Sequence, residues 1–198
     1  MEKIAVDIVL LPSEGVMDKA IAANKELLKQ YPDKIILNKE NCLPHISLAM
    51  GCIDQIHMSD AGEILSSLAE KYSPETLKFI GFSTSTNSVG EKVTVAIIEK
   101  TKLLQSLHEE IMTTLAQYFS YDITEKMLLS EKVDESTLVW IRNFPDNSSF
   151  KKYYPHITLG YGQLENFPFP GNCEVSKLAI CHLGNHCTCR KILISIKL

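Results

Sequence analysis

The chain has 198 residues, of which 45% are hydrophobic and 22% are charged, and its formal net charge is -4. This is the composition of a globular protein that can bury a sizeable core. No stretch approaches the roughly 20 apolar residues needed to cross a bilayer. Long nucleic acid is a poor fit as a partner, because phosphate contacts usually demand a basic surface. We therefore expect any nucleotide or RNA partner to be small, or to be bound only at an end.

The apolar run at residues 3–11 contains an acidic residue, and no small-residue cleavage site follows it. It is therefore predicted to be a strand rather than a signal peptide. With no export signal in view, cysteines in a chain of this size are expected to be reduced thiols in a cytoplasmic protein. There are six: Cys42, Cys52, Cys173, Cys181, Cys187 and Cys189.

The hydrophobic spacing predicts the following elements in chain order. They are a strand at 3–11, a helix from 13 to about 30, a strand at 41–52, a helix at 59–72, two strands at 77–86 and 92–99 joined by a turn at 87–90, a helix at 101–119, strands at 137–141 and 153–162, and a hairpin over 177–198 turning at Gly184 and Asn185. Residues 120–152 are the hardest to interpret. Because strands are numerous and hairpins are present, the predicted fold class is α+β with antiparallel sheets.

One internal repeat stands out. Residues 44–51 read PHISLAMG and residues 155–162 read PHITLGYG, identical at five of eight positions, and a sixth position pairs Ser47 with Thr158. The two histidines are 111 residues apart, too far for a tandem array. Two half-domains that each contribute one copy would fit this spacing.

In a strand, residues i and i+2 point to the same face. His45 therefore shares a face with Ser47, and His156 shares one with Thr158. Two such strands brought together would place two imidazoles and two hydroxyls around a space that suits a phosphate. With an ordinary pKa near 6.5, one imidazole can serve as base while the other serves as acid. If the histidines move the protons, the reaction requires no metal.

A single histidine followed by a hydroxyl two positions later is usually a packing feature of a core. Two copies with the same preceding proline and the same flanking pattern are hard to produce by chance. We therefore favour the interpretation that both copies belong to one catalytic site.

At these residues the sequence resembles the 2H phosphoesterase superfamily, whose signature is two His-x-Thr/Ser motifs, each on a strand. The superfamily includes 2'-5' RNA ligase-like proteins and cyclic nucleotide phosphodiesterases. The resemblance implies a single domain over residues 1–198, built from two intertwined, pseudo-twofold-related lobes around a central cleft. It implies that His45 and His156 form the acid–base pair, either of which could be the base. It also implies that Ser47 and Thr158 hold phosphate oxygens.

Some further residues have more than one interpretation. Tyr154, two residues before His156, could contact a base or phosphate, or could be a rim residue without function. For Trp140, core packing is favoured over a nucleobase platform. In the tail, a two-residue turn would pair His182 with Cys187 and bring Cys189 to the same face. That suggests three soft zinc ligands, but the spacing fits no CxxC pair and a fourth ligand is missing, so buried cysteines are the better interpretation.

The expected function is opening of 2',3'-cyclic phosphates, or cleavage or joining of 2'-5' linkages, in nucleotides or RNA ends, without a cofactor or metal. The expected protein is a monomer with no membrane partner. Three alternatives stay open: an RNA exonuclease acting at 3' ends, a nucleotide-binding module without turnover, and a zinc-stabilised interaction domain.

Overall fold

The computed structural model describes residues 2–72, 76–86, 90–164 and 166–198. The α+β class with antiparallel strand pairing is confirmed. The strands are β1 (Lys3–Pro12), β2 (Ile46–Asp54), β3 (Thr76–Thr86), β4 (Lys92–Ile98), β5 (His156–Tyr161), β6 (Asn172–Leu183) and β7 (Cys189–Lys197). The helices are α1 (Glu14–Leu28), α2 (Met58–Lys71), α3 (Lys102–Thr114), α4 (Glu135–Arg142) and α5 (Phe144–Asn147), with 3-10 turns at Gln55–His57, Glu125–Met127, Phe150–Lys152 and Asn185–Cys187.

The strands form two groups that pair extensively within themselves and only briefly with each other. One group runs in the order β2, β1, β6, β7, and the other runs β5, β4, β3. The groups meet where Ile46 of β2 pairs with Ile157 of β5, and where the start of β3 pairs with the start of β6. The first junction brings the two histidine motifs side by side. The pseudo-twofold relation between lobes stays a prediction.

Strand β1 lies between β2 and β6 and is buried along almost its whole length. Its apolar side chains enter clusters on both faces: Val6 and Ile8 belong to the main core, while Val9 and Leu11 belong to a smaller one. A strand covered on both faces is expected to be a continuous hydrophobic run rather than an alternating one. Asp7 is the exception in this run, and its carboxyl is fully buried.

Helix α1 fixes the position of β5. Its buried residue Asn24 donates from Nδ2 to the carbonyl oxygens of Leu159 (2.7 Å) and Ile35 (2.9 Å), and its Oδ1 accepts from the Leu37 amide. Gly160 has φ +139°, and a Cβ there would lie 2.8 Å from Asn24 Nδ2. This close approach requires glycine, and it holds the second motif against the helix.

Several predicted bounds need correction. Residues 137–141 are not a strand but part of α4, in which Thr137, Leu138 and Ile141 are buried at helical spacing. The β-branched and aromatic residues there favour a strand locally, but packing of one helical face overrides that preference. Trp140 is 51% exposed, so its predicted core position is wrong. Helix α3 ends at Thr114, and β2 begins at Ile46, after His45.

The C-terminal hairpin is confirmed, but its turn is longer than two residues. It includes His186 and Cys187 in left-handed backbone conformation, with φ of 58° and 53°. His182 therefore pairs with Lys191 rather than with Cys187. The predicted turn at 87–90 lies mostly outside the described residues.

The prediction that all cysteines are reduced is wrong for one pair, since Cys181 and Cys189 form a disulfide across this hairpin. Within the described ranges, no helix combines the length and apolar character needed to span a bilayer.

Candidate active site

The two motifs meet at the junction of β2 and β5. Ile46 and Ile157 are register partners, and both side chains are fully buried in the core. Residues on either side of them point to the opposite face because strand side chains alternate. Extending the antiparallel register by one residue places Ser47 opposite His156, and His45 opposite Thr158. All four polar side chains are partly exposed. The junction therefore has a compact polar patch on one face, and the buried side chains of Ile46 and Ile157 lie on the other.

Both imidazoles are oriented by the same local hydrogen bond. His45 Nδ1 lies 2.7 Å from the Leu43 carbonyl oxygen, and His156 Nδ1 lies 2.7 Å from the Tyr154 carbonyl oxygen. A carbonyl accepts only, so in each neutral ring the proton is on Nδ1. Nε2 is then the free basic atom of each ring. The repeat in the sequence thus becomes a repeat in side-chain orientation.

Burial sets the charge of the two rings. Burial and, to a smaller extent, the nearby His156 lower the pKa of His45 from 6.5 to about 4, against the opposite effect of the Leu43 hydrogen bond. Burial also lowers the pKa of His156. Both rings are therefore neutral at neutral pH when the site is empty. An anion bound between them would favour the protonated form of either ring, which is the state a general acid needs.

Sequence analysis missed one residue of this site, Asp7 of β1. Its Oδ2 accepts a hydrogen bond from Ser47 Oγ at 2.6 Å and lies 3.6 Å from His45 Nε2. Burial raises the pKa of this carboxyl well above its usual range, although the Ser47 hydrogen bond acts in the opposite direction. The signal was in the sequence: an aspartate inside an otherwise apolar strand needs a reason to be there.

Tyr154 lies at the edge of this patch. Its side chain is 49% exposed, and its ring centroid is 5.7 Å from that of His156. Its backbone carbonyl also orients His156. Tyr154 is therefore near the histidine, as its spacing predicts, while a contact with substrate stays a prediction.

The other histidines have structural partners. His108 is fully buried, with Nδ1 at 2.6 Å from the Leu48 carbonyl oxygen and Nε2 accepting from the Phe150 amide at 2.7 Å. It stacks on Tyr153 at 4.1 Å between ring centroids. His182 Nε2 donates to the Met127 carbonyl oxygen at 3.0 Å. Among the described residues, no three His, Cys, Asp or Glu side chains are grouped so that they could hold a metal ion.

No family model matches the sequence, and no curated protein matches it either. Among solved structures the chain is similar to LigT of E. coli in its apo form, with a TM-score of 0.55 at 12% identity, covering 100% of this chain and 99% of LigT. A second similar structure is Usb1 of Kluyveromyces marxianus, with a TM-score of 0.43 at 7% identity, covering 99% of this chain and 97% of Usb1.

The chain has a fold similar to that of LigT. The likeness to LigT extends over the full length of both chains, so the resemblance indicated by two short motifs is confirmed for the fold as a whole. In this fold the motif residues lie at a junction between two groups of strands and are partly exposed to solvent.

Proposed function

We propose that the protein is a metal-independent phosphoesterase acting on 2',3'-cyclic phosphates or 2'-5' linkages of nucleotides or RNA ends. His45 and His156 are the acid–base pair, and Ser47 and Thr158 bind phosphate oxygens. One observation carries this proposal: the pairing of Ile46 with Ile157 sets both motifs on one face at one junction. We further propose that the two strand groups are pseudo-twofold-related lobes that each supply one half of the cleft.

The chemistry follows from the orientation of the rings. For a 2',3'-cyclic phosphate, Nε2 of one ring takes a proton from the attacking water while its oxygen bonds to phosphorus. The bond from phosphorus to one ribose oxygen breaks, and the other ring, protonated, gives its proton to that departing oxygen. In-line attack needs base and acid on opposite sides of phosphorus, which two motifs facing each other supply.

Charge balance also supports a phosphate substrate. The hydroxyls of Ser47 and Thr158 can donate to an anion, whereas each neutral ring carries only a lone pair on Nε2, so a ring adds a charge-assisted hydrogen bond only once it is protonated. This protonation accompanies the build-up of charge at phosphorus and is therefore strongest in the transition state.

A substrate screen tests the proposal. The purified protein is incubated in EDTA with the four 2',3'-cyclic nucleotides and with matched 2'-5' and 3'-5' dinucleotides, and the product isomers are identified. We expect turnover of the cyclic or 2'-5' substrates and none of the 3'-5' dinucleotides. A labelled oligonucleotide in the same screen would reveal stepwise shortening if the enzyme were an exonuclease. Binding without turnover of any substrate, or turnover that EDTA abolishes, would contradict the proposal.

A further inference from the structure

Asp7 is a buried acid that the proposed two-histidine chemistry does not use. The side chain is fully buried within an apolar strand, and Oδ1 has no hydrogen-bond partner among the described residues. Buried carboxylates in proteins are normally paired with a cation or fully hydrogen-bonded. Within the described part of the chain, the only group at ion-pair distance is His45 Nε2, at 3.6 Å.

His45 cannot satisfy a carboxylate in the geometry observed. Its Nδ1 proton is bonded to the Leu43 carbonyl, so Nε2 of the neutral ring carries a lone pair and no proton, 3.6 Å from Asp7 Oδ2. Two electron-rich atoms would then face each other in a low-dielectric setting. A neutral carboxylic acid removes this conflict, and burial favours it by raising the pKa of Asp7.

The direction of the hydrogen bond between Asp7 and Ser47 then matters. An ionised Asp7 can only accept, so it would hold the Ser47 proton and leave lone pairs towards a phosphate. A protonated Asp7 can instead donate to Ser47 Oγ across the same 2.6 Å. The Ser47 hydroxyl is then free to donate to a phosphate oxygen.

We propose that Asp7 is a positioning residue of the phosphate site: as a neutral acid it donates to Ser47 Oγ and so directs the Ser47 hydroxyl proton towards the bound phosphate. This inference rests on the proposed function for its substrate, but the state of Asp7 can be measured without turnover. Anion binding is retained while Asp7 is protonated, and it is lost as the pH rises through the pKa of Asp7 in the folded protein.

Other titratable groups surround Asp7 and must be separated from it. His45, which directly precedes β2, has Nε2 at 3.6 Å from Asp7, and His156 of β5 is close enough to His45 to affect its pKa. Tyr153, before β5, and Cys187, in the turn before β7, have their pKa values raised first by burial and then by the charge of Asp7. On β6, the register partner of Asp7 is Cys181, which does not titrate because it is in the disulfide. Asp7→Asn leaves both histidines in place, so the part of the alkaline loss of binding that disappears in this variant is assigned to Asp7.

The test measures binding of sulfate, whose charge is constant over the pH range used, to wild type and three variants. Asp7→Asn keeps the shape, cannot ionise, and can donate from its amide to Ser47. Asp7→Ala removes the donor, and Asp122→Asn changes the same formal charge at an exposed position. In wild type and in Asp122→Asn we expect the dissociation constant to rise about tenfold per pH unit above the pKa of Asp7. In Asp7→Asn the part of this rise that is due to Asp7 is absent and only the pH dependence of the two histidines is left, while in Asp7→Ala binding is about fivefold weaker than in Asp7→Asn at every pH, the effect of one lost hydrogen bond.

Infrared difference spectra of wild type against Asp7→Asn at neutral pH supply the second readout. We expect the carbonyl stretch of a protonated carboxylic acid in wild type only. Its absence, or a loss of sulfate binding with rising pH that is as steep in Asp7→Asn as in wild type, would overturn the role of Asp7. If wild type passes both tests yet turns over no phosphodiester, the proposed function fails while the assignment of Asp7 stands.

Discussion

The two copies of the motif are alike at the histidine and different at the hydroxyl. In both, Nδ1 bonds to the carbonyl two residues earlier at 2.7 Å, leaving Nε2 free. In the first copy the hydroxyl of Ser47 is bound to a buried acid. For Thr158, no hydroxyl hydrogen bond occurs within the described ranges of the chain. The orientation of the imidazole, which proton transfer requires, is therefore the same in both copies. The surroundings of each hydroxyl differ because a different strand lies next to it.

The neighbouring strands explain this difference. Each hydroxyl residue has a valine as register partner, Val9 for Ser47 and Val95 for Thr158. Two residues from Val9 on β1 is Asp7, which reaches Ser47 diagonally, whereas the residues two positions from Val95 on β4 are Val93 and Ile97. Apolar side chains form no hydrogen bond with the threonine hydroxyl. The two halves of the site should therefore respond differently to the same type of substitution.

The largest effect is expected where the copies are alike. His45→Ala and His156→Ala should each lower kcat for a 2',3'-cyclic nucleotide in EDTA by about 10²–10⁴, the usual contribution of one acid or base. The control is His57→Ala, since His57 is partly exposed and lies past the opposite end of β2. Near-full activity in either cleft variant, with a folded protein by circular dichroism, would refute the symmetric roles.

Substitution of the hydroxyl residues should affect the two copies of the motif differently. Ser47→Ala and Thr158→Ala should each weaken kcat/KM by about fivefold, the effect of one hydrogen bond to phosphate. Only Ser47→Ala should also lower the free energy of unfolding, by about 1–3 kcal/mol, because it leaves the buried Asp7 without its partner. Urea unfolding of both variants would check this, and equal stabilities would remove the distinction drawn between the motifs.

Asp7 should contribute to stability in a pH-dependent way that the second motif lacks. Its pKa is raised in the folded protein above the usual 3.8, so its contribution is fully present below 3.8 and declines as the pH rises towards the folded value. Asp7→Asn should therefore become progressively more stable than wild type as the pH rises above about 4. Urea denaturation at a series of pH values measures this, with Asp122→Asn as control. A stability difference that does not change with pH would mean that Asp7 is ionised in the folded state.

The smallest effect concerns the ring of His45. Because burial lowers its pKa to about 4, its proton NMR signals should titrate well below 6.5 in the absence of anion. Unfolding should restore the ordinary value, so the His45 contribution to stability is present above about 6.5 and is lost as the pH falls towards about 4. Titration near 6.5 in the folded protein would show that the ring is better solvated than its position suggests.

The sequence was sufficient for the parts of the fold that repeat a simple pattern. The buried strand at 3–11, helix α1 and the strand pair β3 and β4 follow from hydrophobic spacing alone. Residues 137–141 were misassigned because five consecutive β-branched or apolar side chains favour a strand locally, whereas burial of one helical face decides the outcome. No local signal shows which faces will be covered by the rest of the chain.

The candidate site was predictable to the same extent. The motif spacing placed four side chains, because alternation along a strand is a local rule. Asp7 was not predicted to join them, since that depends on β1 pairing with β2 in one particular register. The disulfide between Cys181 and Cys189 was missed for a similar reason: it depends on the hairpin register rather than on cysteine spacing.

The central claim is that both imidazoles contact one phosphate. The most direct measurement is a titration of the protein with inorganic phosphate in EDTA, following the ring proton signals of His45 and His156 by NMR at a fixed pH. The account predicts that both rings shift in the direction of protonation with one shared dissociation constant, and that the partly exposed His57 does not respond. Two different dissociation constants, or a response from only one of the two rings, would contradict it.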